Sequence, residues 1–140
     1  MEGAAAYFTG QWTVDRHIAD IDSGWTGRFE GWARFSPVPG GLDYLERGRL
    51  RLGGLVDTHA WRRYRWVFPH PHRVEVYFED GSFFHSFDPG LQRAEATPYH
   101  DPDLYEVTYE FETRERWRSE WRVEGPRKDY RLVTRYWREG

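Results

Sequence analysis

Three charged side chains stand where the surrounding pattern predicts inward-facing residues. Period-two alternation places Arg16, Glu46 and Arg62 on the same strand faces as large apolar neighbours. Burying an ion costs several kcal/mol unless partners and hydrogen bonds offset that cost. The sequence therefore predicts that Arg16 and Glu46 share a network with tyrosine hydroxyls and with Arg62.

Such a network has two interpretations, a structural polar core or an anchor for a ligand. In the second, arginine and tyrosine bind the charged end of a small amphipathic, anionic molecule while aromatic rings hold its body. The sequence thus predicts a binding protein with a small-molecule ligand held inside the fold. The candidate ligand-binding residues are Arg16, Tyr44, Glu46, Arg62, Tyr64, His85, Tyr105, Tyr109 and Tyr136.

Two other functions stay open. A small enzyme could use Arg16 to hold a carboxylate and Glu46 to transfer a proton, although the sequence has no nucleophile elbow, phosphate loop or dinucleotide motif. Alternatively, the interior is simply packed and the protein binds a partner or forms a homodimer. The tryptophans predicted on the outer face, which would form that surface, are Trp32, Trp61 and Trp137.

Metal and cofactor chemistry has little support. His85, His100 and Asp103 form the only plausible group of ligands, and they lack the spacing of known helical metal motifs. A histidine among aromatic residues is more often simply hydrogen-bonded. We therefore expect no metal and no cofactor.

Composition excludes other classes of protein. The net charge of −3 argues against nucleic acid as a partner. No apolar stretch approaches the roughly twenty residues that a membrane-spanning helix needs, and residues 1–6 lack the basic start of a secretory signal. With no cysteine the chain has no disulfide, which by itself says little about its compartment. Since neither a spanning segment nor a secretory signal is found, we expect a cytoplasmic protein that does not bind membranes.

Alternating short segments and frequent turn residues predict an all-β fold. Asp80-Gly81 is the strongest hairpin signal, and the short connections favour pairing of successive strands. An up-and-down meander of this length leaves two costly edges unless it closes. We therefore predict one domain over residues 1–140, a closed antiparallel up-and-down barrel of about ten strands with a short N-terminal cap and no helical lid. The predicted strands are residues 11–20, 24–36, 42–52, 58–68, 72–79, 82–87, 91–99, 104–113, 116–124 and 129–138, with Phe83, His85 and Phe87 facing inward.

The two ends of the chain are expected to seal the barrel. Gly10 leads into the first strand and Trp12 would plug its base, while Arg131 and Arg135 lie on the last strand. A guanidinium stacked on the indole would form a cation–π contact worth roughly 0.5–2 kcal/mol.

The Gly10-x-Trp12 start with a basic and aromatic last strand resembles the calycin superfamily of lipocalins, fatty-acid-binding proteins and nitrobindin-like barrels. The resemblance implies a barrel around a ligand. It also implies an enzymatic alternative, because calycin-like phenolic-acid decarboxylases use tyrosine, arginine and glutamate. The chain departs from fatty-acid-binding proteins in having no room for a lid near residues 20–24, and from nitrobindin-like barrels in having no histidine after His100. Gly-Pro-Arg-Lys-Asp-Tyr at residues 125–130 also resembles an uncharacterised family of small bacterial barrels.

Overall fold

A computed structural model describes residues 3–139 as one antiparallel sheet with a short helix at its start. The helix is α1 (Ala4–Phe8). The strands are β1 (Gly10–Asp20), β2 (Thr26–Val38), β3 (Gly41–Leu52), β4 (Val56–His70), β5 (Arg73–Phe78), β6 (Phe83–Phe87), β7 (Arg93–Ala96), β8 (Tyr99–His100), β9 (Asp103–Thr113), β10 (Arg116–Gly125) and β11 (Lys128–Trp137).

The sheet follows the chain in an up-and-down order and nearly closes on itself. Its ladder runs β6-β5-β4-β3-β2-β1-β11-β10-β9-β7, and the two-residue β8 pairs beside β9. Pairing of β1 with β11 joins the first and last strands, and β6 and β7 are the two end strands of the ladder. The prediction of an all-β antiparallel barrel of about ten strands with a short N-terminal cap is confirmed. The strand predicted at residues 91–99 is divided between β7 and β8.

Side chains alternate between the bore and solvent along most strands, because a β-strand has a side-chain period of two. β6 is an exception. A register shift against β5 falls between Val76 and Tyr77, and Phe84 and His85 are both buried in succession. Phe83 is 48 % exposed, so its predicted inward orientation is wrong. The shift takes up one extra residue in β6, and this changes which face Phe83 occupies.

Two glycines face each other on neighbouring strands at a point where the two backbones come close together. Gly31 on β2 pairs with Gly48 on β3, and both lie on the inward face. A Cβ on Gly31 would clash with the Arg47 carbonyl oxygen, and one on Gly48 would clash with the Glu30 carbonyl oxygen. Only glycine allows the two backbones to approach this closely.

In the described part of the chain, no helix is long and apolar enough to cross a membrane.

Candidate functional site

The lower end of the barrel is sealed by a group of packed aromatic rings that we call the floor, namely Phe8, Trp12, Phe35, Trp66 and Trp117. The helix α1 inserts Phe8 into the bore, where its ring centroid lies 5.0 Å from that of Trp66 and 5.3 Å from that of Trp117. The indole Nε1 of Trp12 donates to the Phe8 carbonyl at 2.8 Å. All five rings are 4 % exposed or less, so nothing enters the bore from this end.

The cation over Trp12 is Arg138, which the sequence analysis missed. Its guanidinium carbon lies 4.0 Å from the Trp12 ring centroid, and its Nη1 donates to the Thr9 carbonyl at 3.2 Å. The predicted stacking of Arg131 or Arg135 is wrong, since both side chains are exposed. Alternation explains this result. Thr134 and Tyr136 face inward on β11, so Arg131 and Arg135 must face outward. Arg138 has an even number and follows the last residue of the strand, so its side chain lies on the inward side.

Above the floor lies a group of polar side chains that we call the ion cluster, formed by Arg16, Tyr44, Glu46, Arg62 and Tyr136. Arg16 binds Glu46 with two parallel hydrogen bonds, Nη1 to Oε2 at 2.6 Å and Nη2 to Oε1 at 2.9 Å. This geometry is the strongest available to an arginine–carboxylate pair. Arg16 and Glu46 are 5 % and 1 % exposed, respectively.

The Arg16–Glu46 pair spans an intervening strand. Arg16 lies on β1 and Glu46 on β3, with β2 between them. Across from Glu46, β2 carries Ala33, and its next inward residue towards Arg16 is Gly31. Because these two residues are small, the longer side chains of β1 and β3 can meet above β2. The sequence indicates this contact, because the small residues Gly31 and Ala33 occupy successive inward positions of β2.

A chain of two tyrosine hydroxyls leads to the carboxylate of Glu46. Tyr44 donates to Glu46 Oε1 at 2.5 Å, and the Tyr44 and Tyr136 hydroxyl oxygens lie 2.9 Å apart. Burial raises the pKa of both tyrosines, so both hydroxyls keep their protons. Since the hydroxyl hydrogen of Tyr44 is used in the hydrogen bond to Glu46, Tyr136 is the donor in its hydrogen bond to Tyr44.

Glu46 is held as a carboxylate. Burial by itself would raise the pKa of Glu46, but the charge and hydrogen bonds of Arg16, with smaller contributions from Arg62 and Tyr44, lower it to about 2. At neutral pH Glu46 therefore carries no proton to donate, and its oxygens are occupied by Arg16 and Tyr44. These properties suit a structural anion better than a general acid or base.

Arg62 is the second cation of the ion cluster and its only member that reaches solvent. Its Nε lies 3.4 Å from Glu46 Oε2, and its side chain is 36 % exposed. Its guanidinium carbon also lies 5.9 Å from the Trp121 ring centroid. Because Arg16 and Arg62 share the one carboxylate of Glu46, the ion cluster holds one excess positive charge, and this charge is at the open end.

The bore around the ion cluster is nearly full. The free space that remains among its side chains, which include Tyr64, Trp66, Tyr109 and Trp121, is about 20 Å³, close to the space that one water molecule needs. Trp117 Nε1, buried beside this space, has no hydrogen-bond partner among the described residues. A second space of about 70 Å³ lies between Arg16, Phe29, Glu46 and Arg62.

A larger opening, the mouth cleft, lies above the ion cluster. Its volume is about 400 Å³. The lining combines apolar side chains with three cations and one carboxylate: Ile18, Asp20, Trp25, Leu50, Leu52, Arg62, Arg127, Lys128, Tyr130 and Leu132. Arg62 lines this cleft and both smaller spaces, so it connects the mouth with the ion cluster.

The other two cations of the mouth are Arg127, in the turn between β10 and β11, and Lys128, the first residue of β11. Lys128 Nζ pairs with Asp103 Oδ2 at 2.9 Å, and Asp103 is 5 % exposed. Gly125 lies against this carboxylate, and a Cβ there would clash with Asp103 Oδ1. Arg127 is exposed. Arg127 and Lys128 were not among the site residues predicted from the sequence, because charged residues beside a Gly-Pro turn are usually solvated.

The remaining candidates are not members of the ion cluster, although Tyr64 contacts it through Arg62. His85 Nε2 and the Tyr109 hydroxyl lie 2.8 Å apart, and burial lowers the pKa of His85 to about 3, so the ring is neutral. Tyr105 packs on Phe84 at 4.9 Å between ring centroids, and Tyr64 accepts from Arg62 at 3.4 Å. Across residues 3–139 no three histidine or acidic side chains come together as metal ligands do.

Sequence comparison places the chain in a family. The profile of DUF6314, a family of unknown function, matches residues 8–138. The chain belongs to this family. Among curated proteins, none matches this DUF6314 chain.

Solved structures share the barrel of this DUF6314 chain at low sequence identity. The S-type phycobiliprotein lyase CPES from Guillardia theta aligns with a TM-score of 0.68 and 8% identity over 99% of this chain and 94% of that chain. A de novo designed fluorescence-activating β-barrel aligns with a TM-score of 0.52 and 17% identity over 99% of this chain and 100% of that chain. The barrel EF1p2_mFAP2b bound to DFHBI aligns with a TM-score of 0.53 and 14% identity over 97% of each chain. These similarities show the fold.

Proposed function

We propose that the protein binds a small amphipathic, anionic molecule at the mouth of a calycin-like barrel. One observation carries the proposal: two arginines share one buried carboxylate, and the arginine left in excess, Arg62, reaches the mouth cleft. An anion bound there would complete the neutralisation of the ion cluster. Arg62 is only partly buried and its contacts to Glu46 and Tyr64 are both long, at 3.4 Å, so an anion at this position would gain a charge-assisted hydrogen bond.

The shape and chemistry of the cleft support an amphipathic ligand. The apolar wall formed by Leu50, Leu52 and Leu132, with Trp25 beside it, suits a flat apolar body. Arg62 would bind the anionic group, and the exposed Arg127 would raise the positive potential around it, whereas the charge of Lys128 is balanced by Asp103. The floor and the filled bore leave the ligand body at the mouth rather than deep inside, which modifies the expectation from sequence.

Barrels of the same fold are consistent with this proposal. One of the similar structures is named as a phycobiliprotein lyase, and another is a designed barrel bound to DFHBI. In this chain the ligand contacts would come from its own residues, with Arg16, Tyr44, Glu46 and Tyr136 holding Arg62 in position. Catalysis by Glu46 is not favoured, because its carboxylate is already bound by Arg16 and Tyr44.

The test uses two fluorescent probes that differ in charge. Anilinonaphthalene sulfonate carries an anion, and N-phenylnaphthylamine has the same rings without it. A charge-assisted hydrogen bond contributes about 1.5–3 kcal/mol, so Arg62→Gln should raise the Kd of the sulfonate probe by about 10-fold or more. The same change should alter binding of the neutral probe by less than about 2-fold.

The matched control is Arg65→Gln, because Arg65 lies on the same strand but faces solvent. It should leave the binding of both probes unchanged. Near-ultraviolet circular dichroism checks that each variant keeps its packed interior. The proposal is overturned if the native protein shows no saturable binding of the sulfonate, or if Arg65→Gln weakens it as much as Arg62→Gln does.

A further inference from the structure

The strand β4 has a long stretch of backbone with no neighbour on one side. It pairs with β3 from Val56 to Val67, but its pairing with β5 begins only at Tyr64. Within the described chain, the part of β4 before Tyr64 therefore has a free edge facing away from β3. An edge of this length is a template for pairing with another strand.

Hydrogen-bond alternation identifies the groups on this edge. The Phe68 N–H donates to the Gly40 carbonyl of the β2–β3 turn at 3.1 Å, so even-numbered residues of β4 point their backbone groups towards β3. The odd-numbered residues before Tyr64, namely Asp57, His59, Trp61 and Arg63, point theirs towards the free side. Among residues 3–139, the hydrogen bond found at these groups is a long one, from the Thr58 hydroxyl to the His59 carbonyl at 3.4 Å.

The side chains beside this edge include unusually exposed apolar groups. Trp61 is 56 % exposed, Val56 is 37 % exposed, and Leu55 in the preceding turn is 94 % exposed. Apolar side chains next to unpaired backbone groups are typical of a surface that another chain covers.

We propose that β4 pairs with β4 of a second copy of this chain, antiparallel, about a two-fold axis at Ala60. In this register His59 lies opposite Trp61 of the second copy, and Asp57 lies opposite its Arg63. All four residues that face the free side then form hydrogen-bonded pairs, since each pair joins two odd-numbered positions. A two-fold axis makes every contact occur twice.

The sequence of the edge is complementary to itself in this register. Opposite charges meet at Asp57 and Arg63, and an imidazole meets an indole at His59 and Trp61. Within its own chain Asp57 also pairs with Arg49 at 2.6 Å and Arg63 with Asp43 at 3.3 Å, so the contact across the axis would join these pairs into one network. Cross-strand pairs of these kinds are stabilising, whereas like charges directly opposite are destabilising. The free stretch ends where β5 begins, so the second copy would fill the gap that β5 leaves along β4.

This inference does not depend on a ligand in the mouth cleft. The odd-numbered residues of the edge face outward, whereas Arg62 faces the bore. Failure of probe binding would therefore leave the dimer intact, and a monomeric protein could still bind the sulfonate probe.

The first experiment measures mass by size-exclusion chromatography with light scattering. At about 100 µM, far above a micromolar Kd, the native protein should give twice the 16.8 kDa of the chain. His59→Pro removes an N–H that faces the second copy and takes no part in pairing with β3, so it should halve the mass. Trp137→Thr is the control, because Trp137 is also exposed but lies on β11, and it should leave the mass unchanged.

The second experiment reverses charges and does not depend on how a proline is tolerated. Asp57→Arg places two arginines opposite each other and should give the monomer mass. The double variant Asp57→Arg with Arg63→Asp restores opposite charges and should return the dimer mass. A native protein that is monomeric at about 100 µM, a dimer that persists in His59→Pro, or a double variant that stays monomeric would overturn the proposal.

Discussion

The floor and the ion cluster occupy the same bore but are held together by different interactions. The floor consists of aromatic rings in edge and tilted contacts, with one cation, Arg138, on the indole of Trp12. The ion cluster concentrates two cations and one carboxylate between tyrosines. Packing of rings tolerates changes of pH, whereas a buried ion pair depends on every charge being present. One end of the barrel is therefore sealed by packed rings, whereas the stability of the region above it depends on the charges of Arg16, Glu46 and Arg62.

Tyr136 joins the two regions. Its ring stacks on Trp117 of the floor with centroids 3.7 Å apart and planes inclined by 4°. Its hydroxyl reaches Tyr44 of the ion cluster. The floor therefore supports the ion cluster from below, and the position of Arg62 at the mouth depends on both.

The largest expected effect comes from removing the one carboxylate of the ion cluster. Glu46→Gln leaves Arg16 buried without a counter-ion, so the free energy of unfolding should fall by about 3–5 kcal/mol at pH 7. Urea denaturation measures this change. Asp43→Asn is the matched control, because Asp43 pairs with an exposed arginine on the outer face, and the loss there should be about 0–1 kcal/mol.

The cost of Glu46→Gln should also depend on pH. The pKa of Glu46 is about 2 in the folded protein and 4.5 ordinarily. A lowered pKa stabilises the fold fully above the ordinary value and loses this contribution as the pH falls towards the folded value. The difference between native protein and variant should therefore be constant above pH 4.5 and shrink between pH 4.5 and about 2. A pH-independent difference would contradict the assignment of Glu46 as a buried anion.

A smaller, pH-independent loss is expected at the floor. Phe8→Ala removes the ring that α1 inserts, and the free energy of unfolding should fall by about 3 kcal/mol, at the low end for a buried phenylalanine because the short helix can move inward. Urea denaturation at pH 7 and at pH 4 should give the same loss. A loss that varies with pH would show that Phe8 also contributes to the stability of the Arg16–Glu46 ion pair, which is contrary to this prediction.

The smallest effect on the free energy of unfolding is expected from Arg138, the cation next to Trp12 of the floor. Arg138→Gln removes the cation over Trp12 and should lower the free energy of unfolding by about 0.5–1 kcal/mol. Arg135→Gln changes an exposed arginine on the last strand and should have an effect within about 0.5 kcal/mol of zero. Equal effects of the two variants would contradict the prediction that the contact between Arg138 and Trp12 stabilises the fold.

Features that depend on local alternation could be predicted from the amino-acid sequence. Turn residues and period two predicted the strands and their order, and they placed Arg16, Tyr44, Glu46 and Tyr136 on inward faces, because successive side chains of a strand must point to opposite sides. The need of a buried carboxylate for partners then predicted the network that these residues form.

The tertiary structure alone decided the features that depend on several strands at once. The register between β5 and β6 turned Phe83 outward, and the end of β11 brought Arg138 rather than Arg131 or Arg135 onto Trp12. The combined volume of the rings filled the bore and left Arg62 at the mouth. The different lengths of β4 and β5 exposed the edge around Ala60. Sequence patterns fix the direction of each side chain along its own strand, but the space between strands is set only when the sheet curls and the strands take their register.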